Sequence, residues 1–316
     1  MIKEFKYKDK AEWLQLRKNY IGGSDASAVI GLNPWRSAYT LWAEKTGKIP
    51  EFEGNTATTV GSYLEELIAK LWEEETGKKC RRQNRMFVND LYPWACADID
   101  RQVVGENAGL EIKNTTSVPV MRQLRNSDEF PEIYYTQCVH YLAVKGWDRI
   151  YLAVLVNCRE LKVYCLERDE AEIDALMRAE RDFWAHVEND MAPSPDGADN
   201  TTETIDAIYT ADTVRDEPER VDLIGYNDDL DNYMSLQAQI KDLTRLKDEI
   251  ANRIKDELGD NVGGETGLFT VSWAPTTRTT FDAKRFAEDH AGVDLTPYYK
   301  TSASRIFRVT AKPQNQ

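Results

Sequence analysis

The run Arg149–Val156, RIYLAVLV, constrains the fold more than any other segment. It is almost continuously apolar and lacks the alternation of a half-exposed strand. It therefore reads as a central strand buried on both faces. Glu160–Leu166 follows and alternates Leu161, Val163 and Cys165, the pattern of a neighbouring strand. Upstream, Ala95–Val104 and Leu110–Lys113 read as strands joined in a hairpin by the loop GENAG. Tyr63–Glu75 is amphipathic, with Leu64, Leu67, Ile68, Leu71 and Trp72 at helical spacing. Tyr134–Lys145 reads as a further helix. Another starts near Glu170 and places Ile173, Leu176, Phe183, Trp184 and Val187 on its buried side. Short helices open the chain. Asp9 caps one that runs to Arg17 and breaks at Gly22-Gly23; Ser24 caps DASAVI, which Gly31 ends; Ser37 caps a third, closed by Gly47. Strands and helices of this kind place the chain in the α/β class.

Composition changes after Asn189, where Pro, Asp, Thr and Glu dominate. The reading is a main domain over 1–192, an acidic linker or peripheral loop over 193–227, and a C-terminal α+β extension over 228–316. The extension opens with one long helix, Asp228–Leu258, carrying Leu236, Ile240, Leu243, Leu246, Ile250 and Ile254 at helical spacing. A strand (Leu268–Trp273), a short helix (Asp282–Asp289) and a last strand (Arg305–Val309) complete it. The net charge of −14 argues against a nucleic-acid binder of the ordinary basic kind. Its distribution removes that argument. Residues 1–150 carry 21 basic and 21 acidic side chains, while residues 151–250 carry 10 and 25. No apolar run approaches the roughly 18 residues of a membrane span, and the N-terminus lacks the apolar core of a signal peptide. Five cysteines without a CxxC pair argue against a disulfide framework or zinc ribbon, and a reducing cytoplasm is the expected setting. Three scattered histidines make a histidine-rich metal site or a Ser-His-Asp triad unattractive.

The chemistry concentrates in Asp98-Ile-Asp100 and Glu111-Ile-Lys113. Residues two apart on a strand share a face. The hairpin would bring Asp100, Glu111 and Lys113 together, with Asp98 beside Asp100. Two carboxylates beside a lysine suit Mg²⁺: hard oxygens hold the ion, and the ammonium orients an attacking water. An isolated D-x(10)-ExK also describes a solvent-facing strand with a salt bridge. Leu110 and Ile112 flank Glu111, which puts the carboxylate on a strand with an apolar opposite face. Glu65, at the edge of the stripe on Tyr63–Glu75, is a candidate third acid that needs a partner or water. Gln137 and Tyr141, one turn apart, could orient substrate or water, or simply pack.

These pieces together resemble a known family. The opening Arg17-x6-Ser24 within RKNYIGGSDASAVIGLNPWRSAYTLWAEKTG is similar to the signature of the YqaJ-type viral recombinases, alkaline exonucleases related to lambda exonuclease in the PD-(D/E)XK nuclease superfamily. GSYLEELIAKLWEEETG, ADIDRQVVGENAGLEIK and YYTQCVHYLAVKGWDRIYLAVL match in order, from about Glu12 to Pro193. The resemblance implies a PD-(D/E)XK core, a mixed central β-sheet flanked by helices. It implies a two-metal, Mg²⁺-dependent exonuclease, with Mn²⁺ able to substitute. Such enzymes degrade one strand of linear duplex DNA 5′→3′ and leave a 3′ overhang for a single-strand annealing protein of the RecT or Red-beta kind. On matching positions, Asp100 and Glu111 become metal ligands, Lys113 the catalytic lysine and Glu65 the acid near a second metal. Gln137 with Tyr141 matches a Q-x3-Y helix motif of related nucleases. Arg17 and Ser24 line a 5′-phosphate pocket, which suits the forked guanidinium and a helix N-terminus. The resemblance also implies a homo-oligomer of the ring-trimer kind and a phage or prophage origin.

The sequence departs from the family pattern at Asp98, where lambda exonuclease has a small hydroxyl residue. A carboxylate there repels a 5′-phosphate unless it binds metal or Arg17. Asn114 stands where the family often has Thr. The cysteine spacing does not fit the iron–sulfur clusters of some related nucleases. Arg36, Arg81, Arg82, Arg85, Arg122 and Arg125 are candidate phosphate contacts. Two other readings stay open: a structure-specific endonuclease on the same fold, and a non-catalytic recombination scaffold that binds DNA or an annealing protein.

Overall fold

The computed structural model describes the chain except residues 127–128, 215–219, 291, 301–302 and 313–316. It divides into two units, Met1–Tyr209 and Thr210–Gln316. The first unit runs β1 (Ile2–Phe5), α1 (Lys10–Arg17), β2 (Ile21–Gly22), α2 (Gly23–Val29), α3 (Ala38–Lys45), α4 (Thr56–Thr76), β3 (Cys80–Arg82), β4 (Met86–Asn89) and β5 (Ala95–Asp98). It continues with β6 (Arg101–Val103), β7 (Ala108–Thr115), α5 (Val118–Asn126), α6 (Glu132–Lys145), β8 (Arg149–Val156), β9 (Glu160–Glu167), α7 (Glu170–Glu188) and α8 (Asp199–Ile208).

β8 is the buried strand that its composition requires. It lies in a five-stranded mixed sheet, β3-β6-β7-β8-β9, parallel to β7 and antiparallel to β9. Tyr151, Ala153 and Leu155 pack with Ile68, Ala69 and Trp72 of α4 on one face. Leu152, Val154 and Val156 pack on the other face with Val120 and Leu124 of α5. The apolar run is continuous because each face has its own helical layer. A four-stranded sheet, β1-β4-β5-β2, stands beside it, and α6 packs against β5 as well as β8.

Several local readings are revised. β6 and β7 form the expected antiparallel hairpin, with Arg101 opposite Leu110. The strand expected over Ala95–Val104 is broken, however: β5 joins the four-stranded sheet and β6 the five-stranded one. Asp98 therefore ends β5 and Asp100 lies in the gap between the two strands. Gly22 does not simply break a helix, because Ile21–Gly22 pairs with β5. Gly22, not Ser24, is the N-cap of α2, and the Asp25 carboxylate accepts from the Gly22 N–H at 3.0 Å. α4 starts at Thr56, and Leu67 is 48% exposed, outside the buried stripe.

The first unit also extends past residue 192, because α8 docks on α3. Asn200 Oδ1 accepts from the Ser37 N–H at 2.8 Å, Thr40 and Thr204 hydroxyls meet at 2.8 Å, and Thr201 donates to Ser37 Oγ at 2.7 Å. Thr201 and Thr204 are buried. A stretch whose polar composition reads as linker thus forms a packed helix, since its hydroxyls find partners inside.

The second unit holds α9 (Asn227–Leu258), β10 (Gly263–Glu265), β11 (Thr270–Ser272) and α10 (Ala283–Asp289). The expected strand Arg305–Val309 does not form. No described residue of this unit is buried. Leu236, Ile240, Leu243, Leu246, Ile250 and Ile254 stand at the expected spacing, yet all six are exposed.

Candidate active site

β7 carries the centre of the site. Leu110 and Ile112 pack toward α4 with Ile68 and Trp72, so strand alternation turns Glu111 and Lys113 to the opposite face, toward α6. Glu111 is buried, and its Oε1 lies 2.6 Å from Lys113 Nζ. Gln137 of α6 donates from Nε2 to Glu111 Oε1 at 2.8 Å and to Tyr141 Oη at 3.0 Å. Tyr141 Oη in turn donates to the Asp98 carbonyl at 2.9 Å. The i, i+4 pair on α6 therefore ties Glu111 to the end of β5. Asp100 Oδ2 accepts from the Ile112 N–H at 2.8 Å, which pins that carboxylate against β7.

This grouping leaves the acids electrostatically short of positive charge. Burial first, and the neighbouring Asp100 second, push the Glu111 carboxyl up to about 8. Burial also raises Asp100, against the opposing pull of Lys113. Lys113 is raised: desolvation works against its charge, but Glu111 and Asp100 outweigh it. Glu65 on α4 is near enough for Asp100 to raise it, after burial. Its carboxylate, however, lies 3.7 Å from Arg82 and 3.9 Å from Arg101. Among the described residues no three His, Cys, Asp or Glu side chains form a metal-ligating group. What Asp100 and Glu111 offer is a pair of hard oxygen donors whose mutual repulsion a divalent cation would relieve, which fits Mg²⁺.

A second cluster forms where α1 meets α2. Arg17 donates from Nη2 to Ser24 Oγ at 2.6 Å and to Asp25 Oδ1 at 2.8 Å. Arg36 also pairs with Asp25 Oδ1, and Lys45 Nζ lies 3.2 Å from Asp25 Oδ2. Asp25 is completely buried. Burial alone would raise its carboxyl, but Arg17, Lys45 and Arg36 hold it well below the ordinary range. Arg36 also pairs with buried Glu44 at 3.1 Å, so three cations around two carboxylates leave excess positive charge around exposed Ser24. Arg17 and Ser24 are thus brought together as expected. Asp25 and Lys45, which anchor them, escape sequence reasoning, because one acid in a helix's first turn is indistinguishable from a capping residue.

Asp98 lies between the two clusters. Its carboxylate accepts from Tyr7 Oη at 3.1 Å and from Trp13 Nε1. Burial raises it, and the Tyr7 and Trp13 bonds oppose that. Its direct partners are therefore two neutral donors, not Arg17, and nothing local in the sequence marks Tyr7 or Trp13. One cleft of about 1120 Å³ connects the whole set: it is lined by Arg17, Ser24, Glu65, Asp98, Asp100, Glu111, Lys113, Gln137 and Tyr141. Arg82 lines it too, whereas Arg81 bonds Gln102, Arg85 pairs with Glu4 and Arg122 is exposed. The side chain of Arg125 lies outside the described residues.

A family model described as the YqaJ-like viral recombinase domain matches residues 12–148. The protein YqaJ of Bacillus subtilis (strain 168) is 35% identical over 302 residues, covering 94% of this chain and 92% of the relative. Among solved structures, the alkaline exonuclease LHK-Exo of Laribacter hongkongensis, in complex with dAMP, superposes with a TM-score of 0.50 at 18% identity, covering 57% of this chain and 94% of the other. The mixed sheet and its helices thus share the fold of that alkaline exonuclease.

Proposed function

Since the chain belongs to the YqaJ-like viral recombinase family, we propose that it is a Mg²⁺-dependent nuclease that degrades linear duplex DNA 5′→3′ and leaves 3′ single strands for recombination by annealing. The observation that carries this reading is the single cleft joining the Asp100–Glu111–Lys113–Gln137 cluster to the Arg17–Ser24 cluster. Asp100 and Glu111 would hold Mg²⁺, with Glu65 flanking a second ion. The metal supplies a Lewis acid for the phosphate and a water of lowered pKa. Gln137 occupies Glu111 Oε1 and so fixes which oxygen remains for a ligand. Lys113 stays charged at neutral pH and can orient the attacking water or steady a phosphate oxygen. Arg17 and the Ser24 hydroxyl would take a terminal phosphate, giving a free end its purchase.

The family setting supports a cytoplasmic site of action in a bacterial host, on phage or prophage DNA, with an annealing protein as partner and a ring-shaped homo-oligomer as the working form. Among the described residues no helix is long and apolar enough to cross a membrane. The test is digestion of 5′-phosphorylated and 5′-hydroxyl linear duplex, with closed circular DNA alongside, in Mg²⁺ or Mn²⁺. Loss of the linear forms with sparing of circles is expected. Intact linear duplex overturns the reading, and cut circles replace it with an endonuclease. Asp98 beside the phosphate cluster predicts a smaller preference for phosphorylated ends than a hydroxyl residue there would confer.

A further inference from the structure

α9 runs unbroken from Asn227 to Leu258. Along it Tyr233, Leu236, Ile240, Leu243, Lys247, Ile250 and Ile254 alternate by three and four. A seven-residue repeat sustained over three heptads keeps one narrow seam on a helix, the condition for winding on a second helix. A helix packed on a globular core carries a broader stripe. From Leu236 on the seam faces solvent, with Leu236 56%, Ile240 63%, Leu243 65% and Ile250 51% exposed, while Tyr233 at its start is half-buried against Phe307. No described residue of the unit is buried, so the unit does not make a core of its own.

We propose that α9 pairs with α9 of a second copy of this chain, antiparallel, as a two-stranded coiled coil centred near Arg245. Reversal about that residue maps Leu236–Ile254 of the seam onto itself. Leu236 meets the second copy's Ile254, Ile240 its Ile250, and Leu243 its Lys247. Lys247 selects the orientation. A parallel pair would place two ammonium groups face to face inside the seam. The antiparallel pair lays each lysine stem on a leucine and lets the ammonium reach water. Flanking positions carry little charge to repel an identical helix: Gln237, Thr244 and Ala251 on one side, Gln239, Leu246 and Arg253 on the other. Lys241, Asp242, Arg245, Asp248 and Glu249 fall on the outer face.

The area is sufficient. A seam of 22 residues (Tyr233–Ile254) is about 33 Å long and a helix about 10–12 Å wide, so each helix covers roughly 350 Å² in projection and more in accessible surface. The pair thus reaches about the 1,000 Å² that separates a specific interface from a chance contact. The contact is two-fold and closed, and it does not depend on the nuclease reading. If the first units form a three-fold ring, it joins two rings.

The test uses the full chain in sedimentation equilibrium. Ile240→Glu with Ile250→Glu, which face each other across the seam, should halve the mass, and Ile240→Leu with Ile250→Leu should keep it. A mass unchanged by the glutamates overturns the pairing. Orientation is read by mixing two chains, one with Leu236→Cys and one with Ile254→Cys, both also carrying Cys158→Ser and Cys165→Ser. A disulfide linking the two different chains is expected. Disulfides only between identical chains overturn the antiparallel assignment.

Discussion

Replacing Gly23 by alanine tests how the helix that carries Gln137 and Tyr141 is seated. A Cβ at Gly23 would fall 2.4 Å from Tyr141 Cε1 and 2.8 Å from Cζ. Carbon atoms settle at about 3.5–4.0 Å, so the ring, or α2 itself, must shift by about 1 Å. Tyr141 is only 4% exposed, which leaves little room for relaxation. Overpacking of this kind costs about 1–3 kcal/mol. At about 2–4 °C per kcal/mol in a unit of this size, the melting temperature should fall by roughly 3–10 °C. The same shift disturbs the bonds from Gln137 to Tyr141 and from Tyr141 to the Asp98 carbonyl. Displacement of about 1 Å at a positioning residue can lower a rate by about 10²-fold. A double-mutant cycle isolates the clash. Tyr141→Ala removes the ring and costs about 3–5 kcal/mol by leaving a cavity. In that background Gly23→Ala should be neutral or stabilising by up to about 1 kcal/mol, since Gly23 does not need a left-handed backbone. Chemical denaturation of the four proteins measures the coupling. An equal cost of Gly23→Ala in both backgrounds would refute the reasoning.

Other perturbations follow from the two charge clusters. Asp25→Asn should destabilise by about 3–5 kcal/mol, because it strands Arg17 and Lys45 around a buried site and leaves Arg36 with Glu44 alone. Because the folded Asp25 carboxyl is depressed, its contribution is complete above the ordinary aspartate value and disappears as pH falls through the folded one. The stability gap between parent and variant should therefore hold from pH 8 to pH 5 and close only below about pH 4; a gap already closing at pH 6 contradicts this. Asp100→Asn, Glu111→Gln and Lys113→Met should each lower cleavage of linear duplex by at least about 10²-fold while the fold persists by circular dichroism. Retained activity in any one removes that residue from the site. Without divalent cation, the raised Glu111 carboxyl makes stability fall as pH rises from the ordinary glutamate range to about 8, and Glu111→Gln should flatten that slope in denaturation curves.

Much of the fold and the acid–lysine set was legible because periodicity records a residue's surroundings. Arg149–Val156 and Glu170–Glu188 form an unbroken strand and a long helix as their patterns require. Glu111 and Lys113 share a strand face for the same reason. Where local pattern failed, polar groups had found partners far along the chain. The Thr-rich segment 199–208 packs as a helix because its Asn200, Thr201 and Thr204 find Ser37 and Thr40 across about 160 residues. The sequence pattern places Asp98 and Asp100 on one strand face, yet β5 and β6 belong to different sheets.

The sequence by itself determined the class of the fold, the spacing of the catalytic candidates and the seven-residue seam of α9, all of which follow from side-chain type and repeat. Tertiary structure alone decided that Asp25 gathers Arg17, Arg36 and Lys45, and that Tyr7 and Trp13 hold Asp98. It also decided that the α9 seam is left open. The physical reason is that a charge or an apolar face declares its need for a partner locally, whereas only the folded chain determines which partner lies within reach.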